Sequence, residues 1–304
     1  MIKLKDVYEK KFTMGLNSNI LYEDYDLFLK KYSKYIHSIY FSLPIGDEYS
    51  TRPTYSKGLK TKEQIKNWWG LVETIKANNI KTEICMNVVG LDERKIDCAI
   101  EFMQQKLIPD EIVCITTYYD KLKKAFPDCK IIYSFNNIVP EHNLSGIIGF
   151  DEVVVGKSYL LSEEKRKNLT DAGYPIRLLL NNGCFFDCVY CNDMCRNKFK
   201  KQLSIYDIEN MYANQSFWPK ELKKLVNSTD SLNNIKFKLS TRTKNLKAQE
   251  ICLASYLYGE DIEKYINKDY MSYYIWCGLG YFADYYRQFE FDRVKRIKIE
   301  NGRI

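Results

Sequence analysis

The sequence predicts an α/β protein: a (β/α) barrel of the TIM type, closed or nearly closed, with a C-terminal helical extension. Three observations lead to this prediction. Short apolar runs rich in β-branched residues alternate with longer helical patterns, which is typical of parallel βα units. Six or seven such units follow one another, and that number favours a closed barrel over an open sheet. No linker rich in proline, glycine or serine divides the chain, so residues 1–304 are predicted to form a single domain.

The first half of the chain supplies four predicted strands and the helices between them. The strands are predicted at residues 39–43, 82–88, 111–116 and 130–135. The helices are predicted at residues 61–78, 92–105 and 119–125. Thr61 and Glu63 mark the beginning of the first helix, since such residues favour helix N-termini.

The second half of the chain continues the same alternation. Strands are predicted at residues 152–155, 176–180 and 235–239. A helix over residues 162–172 ends at Gly173, a residue type that terminates helices. A last helix, residues 246–258, belongs to the extension that begins at about residue 245. No segment is assigned to the eighth strand that a full barrel needs.

Composition limits the classes of protein to which the chain can belong. It is 45% hydrophobic and 28% charged, which predicts a soluble globular protein. No apolar run reaches the ~18 residues needed to span a bilayer, so no membrane partner is expected. The first residues lack the pattern of a secretory signal, which predicts a cytoplasmic location where thiols stay reduced. The net charge of +7 fits either solvated helix faces or a surface for an anion such as RNA or a phosphorylated substrate.

Four of the ten cysteines lie within twelve residues, in a C-x3-C-x2-C-x3-C array formed by Cys184, Cys188, Cys191 and Cys195. Thiolates that converge from one loop favour an iron–sulfur cluster. Structural zinc is a second interpretation, although zinc sites usually combine two separated cysteine pairs. Both histidines, His37 and His142, are distant in sequence. A third interpretation is that the four cysteines are reduced, small apolar residues.

The predicted iron–sulfur loop, residues 183–196, begins directly after the strand at 176–180. This position is at the carboxyl end of a strand, where barrel enzymes carry their catalytic groups. Polar residues follow other predicted strands at the same end. We therefore expect a substrate pocket there, with candidate residues Asn87, Asn136, Lys157, Asn182 and Arg242.

Residues 178–191 resemble the signature of radical S-adenosylmethionine enzymes. In that signature a strand leads into Cys-x3-Cys-x2-Cys, with an aromatic residue just before the third cysteine, the place of Tyr190 here. The resemblance implies that Cys184, Cys188 and Cys191 hold a 4Fe-4S cluster whose fourth iron binds S-adenosylmethionine. In that family the signature usually follows the first strand, whereas here only 113 residues follow Cys191.

The arrangement of the whole chain resembles the collagenase-like peptidase family, group U thirty-two. Those proteins are (β/α) barrels with cysteines after a late strand and a downstream Lys-[Ile/Leu]-x-Gly-Arg-x-Lys segment. The corresponding segment here is Lys238-Leu239-Ser240-Thr241-Arg242-Thr243-Lys244, in which Thr241 replaces the glycine. Several members of the family resemble iron–sulfur enzymes that hydroxylate aromatic or nucleic acid substrates without dioxygen. The resemblance therefore implies chemistry of that kind.

Together these observations predict an iron–sulfur oxidoreductase or radical enzyme with a 4Fe-4S cluster. Its substrate would be a small molecule, a peptide or RNA, and a reductant protein would supply electrons. If Cys195 is a ligand, the cluster is closed; if it is not, one iron is open to substrate or to S-adenosylmethionine. The alternatives are an S-adenosylmethionine-dependent radical enzyme and a non-enzymatic, metal-stabilised module that binds RNA or protein. The sequence contains no P-loop, dinucleotide fingerprint, nucleophile elbow or H-E-x-x-H motif.

Overall fold

The computed structural model describes residues 7–46, 49, 59, 61–88, 90–134, 147–156, 171, 173–180, 219–228, 235–240 and 246–259. Within them, eight strands form one sheet in which each strand pairs in parallel with the next and the last pairs with the first. The strands are β1 (Phe12–Gly15), β2 (Ile36–Phe41), β3 (Lys81–Met86), β4 (Glu111–Cys114), β5 (Lys130–Ser134), β6 (Glu152–Val155), β7 (Ile176–Leu179) and β8 (Lys236–Lys238). The prediction of a closed TIM-type barrel is confirmed.

Six helices of the described residues surround this barrel. They are α1 (Tyr22–Tyr32), α2 (Lys62–Ala77), α3 (Glu93–Lys106), α4 (Thr116–Ala125), α5 (Pro219–Ser228) and α6 (Leu246–Tyr258). The last helix, α6, packs against α5 and α1. None of the helices in the described ranges has both the length and the apolar character needed to cross a membrane.

The strand that is missing from the predicted set is β1, the first strand of the barrel. It has only four residues, all of them buried, and it is followed by α1, another element without a prediction. β1 pairs with β2 on one side and with β8 on the other, so it closes the barrel. The strand before the cysteine array is consequently the seventh strand of the barrel.

The core has two parts, which the barrel wall separates. Outward-facing strand residues pack against the helices and form the larger part. A smaller cluster contains one residue from each of β2 to β7: Tyr40, Cys85, Val113, Ile132, Val154 and Leu179. Because side chains alternate along a strand, residues two positions before or after a member of this cluster also point into the barrel.

Candidate functional site

Polar residues follow the inner apolar cluster at the carboxyl ends of β3 and β5. Asn87 lies two residues beyond Cys85, and Ser134 lies two residues beyond Ile132. Both residues are buried, and the Asn87 Nδ2 donates a hydrogen bond of 3.3 Å to the Ser134 Oγ. The pair forms a small polar surface above an apolar layer, at the end of the barrel where the candidate pocket is predicted.

A second group of contacts fixes the carboxyl end of β8. The hydroxyl of Tyr40 donates a hydrogen bond of 2.7 Å to the backbone oxygen of Leu239. The ammonium of Lys238 lies 4.3 Å from the centroid of the Tyr40 ring and donates a hydrogen bond of 2.9 Å to Glu83 Oε1. These contacts hold the backbone just before the segment that carries Arg242.

Beneath the apolar cluster, towards the amino ends of the strands, a guanidinium is surrounded by three carboxylates. Arg177 Nε donates to Glu152 Oε1 at 2.6 Å, and Nη2 donates to Glu111 Oε2 at 2.8 Å. Nη1 donates to Glu83 Oε2, which also accepts a hydrogen bond from Ser38 Oγ. Water does not reach Arg177 or any of the three glutamates, since each is at most 1% exposed.

All four of these groups are held in their charged forms. Burial is the largest single effect and raises the pKa of each carboxyl group. The attraction of Arg177 and the neighbouring basic residues together outweighs burial, so the net pKa of Glu83, Glu111 and Glu152 is lowered, that of Glu152 to about 2. Burial lowers the pKa of Arg177, and the three carboxylates more than reverse that effect. The lower part of the barrel interior is therefore an ion cluster.

Further basic residues join the ion cluster at the amino end of the barrel. Lys130 and Lys236 both contact Glu152 Oε2, while His37 and Lys81 both contact Glu111 Oε1, at 2.8 and 3.7 Å. Burial lowers the pKa of His37 more than Glu111 raises it, so the imidazole is neutral at pH 7. This end lies opposite the one predicted to carry the catalytic groups.

Of the predicted pocket residues, Asn87 belongs to the described residues and lies at the predicted end of the barrel. The other four fall outside them: Asn136, Lys157, Asn182 and Arg242. In sequence they follow the ends of β5, β6, β7 and β8 by two to four residues. Ser134, the partner of Asn87, was missed because it was assigned to the interior of a strand.

The predicted metal ligands Cys184, Cys188, Cys191 and Cys195 also lie outside the described residues. The start of their loop can be traced from β7. Leu180, the residue after the strand, is fully buried, and its backbone N–H donates a hydrogen bond of 2.9 Å to the oxygen of Lys238. Within the part of the chain that the structure describes, no group of three or more His, Cys, Asp or Glu residues could hold a metal ion.

The ion cluster was missed, although the sequence contained a signal for it. Most of its members lie within predicted strands, among them Glu83 and Arg177, and Lys236 and Lys238 stand two residues apart in one of them. A parallel barrel covers its strands on both faces, so charged residues within them must point inwards and find partners of opposite charge.

Comparisons with known proteins add a likeness of overall shape. The chain matches no protein-family model and no curated protein. Among solved structures, it is similar to the U32 peptidase Mk0906, with 14% identity and a TM-score of 0.49 over 78% of this chain and 94% of that one. It is also similar to phospho-2-dehydro-3-deoxyheptonate aldolase from Thermotoga maritima, with 14% identity and a TM-score of 0.33 over 82% and 70% of the two chains. Neither likeness is close enough to identify an activity.

Proposed function

We propose that this chain is an iron–sulfur enzyme that carries out redox chemistry, of the oxygen-independent hydroxylase type, at the carboxyl end of its barrel. The observation that carries the proposal is the position of the cysteine array. In sequence, Cys184 follows Leu179, the last residue of β7, by five positions, and β7 ends at the side of the barrel from which (β/α) barrel enzymes take their catalytic groups.

The donor set fits such a cluster. Four thiols within twelve residues can supply three or four ligands to one cubane, and thiolates are the ligands that iron–sulfur clusters take. Cys184, Cys188 and Cys191 would hold the cluster, which would supply one-electron transfer. The fixed backbone at Leu180 supports this assignment, because it starts the loop from a defined point.

Other residues of the chain would bind and orient the substrate. Asn87 and Ser134 offer an amide and a hydroxyl, which can hydrogen bond to a polar group of the substrate. The hydrogen bond from the Tyr40 hydroxyl to the Leu239 backbone oxygen would fix the end of β8, so that Arg242 could pair with a carboxylate or phosphate of the substrate. Asn136, Lys157 and Asn182 would complete the pocket.

The position of the array favours a hydroxylase-like enzyme over a radical S-adenosylmethionine enzyme, whose signature usually follows the first strand. Cys195 decides between a closed cluster and one with an open iron. Electron paramagnetic resonance of anaerobically purified, dithionite-reduced protein tests this point. We expect the signal to be the same with and without added S-adenosylmethionine. A signal that changes when S-adenosylmethionine is added would favour the radical enzyme.

The ligand assignment is tested by replacing one predicted ligand. We expect Cys188→Ala to lose the cluster, because Cys188 is one of the three thiolates proposed to hold it and the variant keeps only two of them. The measurement is the iron and sulfide content of the anaerobically purified full-length chain, with its absorption spectrum. Cys98→Ala is the matched control, since Cys98 is exposed on α3 and should leave the cluster intact. Full cluster content in Cys188→Ala, or zinc in place of iron in the unmodified protein, would overturn the proposal.

A further inference from the structure

Two lysines at the amino end of the barrel share one carboxylate oxygen. Lys130 begins β5 and Lys236 begins β8, and the ammonium groups of both contact Glu152 Oε2, that of Lys236 at 2.7 Å. The other oxygen of Glu152 accepts a hydrogen bond of 2.6 Å from Arg177. One negative charge therefore faces three positive groups in a largely buried space.

The surrounding ion pairs do not balance this excess. Within the described residues, the connected network contains three carboxylates, those of Glu83, Glu111 and Glu152, and the neutral imidazole of His37. It also contains five positively charged groups, those of Lys81, Lys130, Arg177, Lys236 and Lys238. A surplus of like charge is costly where water is scarce. Arginine does not release its proton in proteins, so relief must come from a lysine.

Lys236 is the lysine that best meets this requirement, because the strand register places it opposite the cation Arg177 on β7, whereas Lys130 lies opposite the carboxylate Glu111 on β4. Burial lowers its pKa, and the repulsion of Arg177 lowers it further, against the opposing attraction of Glu152 and Glu111. Burial also lowers the pKa of Lys130, but there Glu152 outweighs it and the net pKa is raised. The side chain of Lys236 is 20% exposed, so it is not sealed from solvent.

We propose that Lys236 is a nucleophilic amine site for small carbonyl compounds that carry a carboxylate. A desolvated lysine beside a second cation is a known way to make a reactive amine. The lone pair of the amine forms the C–N bond while the carbonyl electron pair moves to oxygen, which takes up a proton. Loss of water then gives an imine, with no change in oxidation state. The carboxylate of the compound would be drawn to the ammonium group of Lys130, which shares the Glu152 oxygen with Lys236.

The amine is tested by labelling the intact protein with formaldehyde and cyanoborohydride across a range of pH, with the modification of each lysine measured by mass spectrometry. We expect the labelling of Lys236 to reach half its maximum at a lower pH than that of Lys66, an exposed lysine on α2. A midpoint equal to or above that of Lys66, or no labelling of Lys236 at any pH, would overturn the proposal.

A pair of variants tests the origin of the reactivity. Lys130→Met removes the neighbouring cation and should move the midpoint of Lys236 to higher pH. Lys81→Met, which alters a contact to Glu111 instead, should leave the midpoint in place. If the labelling midpoint of Lys236 is the same in Lys130→Met as in the unmodified protein, the neighbouring positive charge of Lys130 is not the cause of the reactivity.

The preference for a carboxylate is tested by replacing formaldehyde with glyoxylate. We expect the ratio of glyoxylate to formaldehyde labelling to be several-fold higher at Lys236 than at Lys66, and to fall towards the Lys66 ratio in Lys130→Met. Equal ratios at the two lysines would exclude recognition of the anion.

Discussion

Arg177 places one guanidinium among three carboxylates in a space that water does not reach. An ion cluster of this kind is not necessarily more stable than an apolar core of the same volume. Removing one member is costly in any case, because the remaining charges stay buried without compensation.

Arg177→Met should therefore lower the free energy of unfolding by about 3–5 kcal/mol. Arg177→Lys keeps the positive charge but loses the planar set of N–H donors. Its free energy of unfolding should lie between those of Arg177→Met and the unmodified protein. The measurement is urea unfolding followed by circular dichroism. Lys30→Met is the control, since Lys30 is exposed on α1, where it pairs with Asp26, and the change should stay within about 0.5 kcal/mol. A loss below about 1 kcal/mol for Arg177→Met would contradict this account.

Residues at the ends of strands could be predicted better than residues inside them. Asn87 was identified because polar side chains after a strand lie at the rim of a barrel. Arg177, Glu83 and Lys238 were overlooked because their strands were treated as uniformly apolar inside. Pairing partners in a closed barrel are set by register, and register cannot be read from a single strand.

Among the elements, α1 and α2 pack at a place where a glycine is required. A Cβ added at Gly70 would lie 2.7 Å from two ring atoms of Tyr22, which begins α1. Such a separation is shorter than van der Waals contact allows, so the two helices can approach as they do because position 70 has no side chain. Asn67 reinforces the same contact, since its Oδ1 accepts a hydrogen bond of 3.0 Å from the Tyr22 backbone N–H.

Gly70→Ala should consequently destabilise the protein. At an ordinary interior helical position, replacing glycine with alanine instead stabilises the helix by about 1 kcal/mol. We expect a loss of about 1–3 kcal/mol from overpacking, measured by thermal or urea unfolding. In a Tyr22→Ala background the obstructing ring is absent, and Gly70→Ala should become neutral or stabilising. The same loss in both backgrounds would show that the ring is not the cause.

Element prediction succeeded where the pattern was regular, as in a long helical pattern or a run of β-branched residues. The helix predicted over residues 246–258 coincides with α6, and the strand predicted over 152–155 coincides with β6. β2 begins three residues earlier than predicted, because Ile36-His37-Ser38 interrupts the apolar pattern with polar residues that point into the ion cluster. β1 is as short as β6, but its sequence Phe12–Gly15 lacks the run of β-branched residues that identifies β6.

At the scale of the whole molecule, the ion cluster links stability to pH. The pKa of Glu152 is lowered to about 2, and the pKa values of Glu83 and Glu111 are lowered as well. A carboxyl group with a lowered pKa in the folded state binds fewer protons there than in the unfolded chain. The stability that it contributes is complete above an unfolded pKa of about 4.3 and is lost as the pH falls towards the folded pKa.

We therefore expect the free energy of unfolding to decrease steeply between about pH 5 and pH 3. Glu152 alone accounts for about 3 kcal/mol of the decrease from its unfolded pKa down to its folded pKa of about 2. Urea unfolding at a series of pH values measures the slope. Glu152→Gln should give a shallower slope, and Glu93→Gln, at an exposed position on α3, should leave it as it is. A free energy of unfolding that is constant between pH 5 and pH 3 would contradict the role given to the cluster.

The closure of the sheet by β1 and β8 has a consequence for how the protein is made. These two strands bond to each other but are separated by most of the chain, so the pairing edge of β1 remains exposed on the ribosome until residues 236–238 emerge. At ~5–20 residues per second, that interval lasts on the order of 10–45 s. A nascent chain with an exposed strand edge can pair with other chains, so chaperones that shield the amino-terminal units during translation should raise the yield of soluble protein.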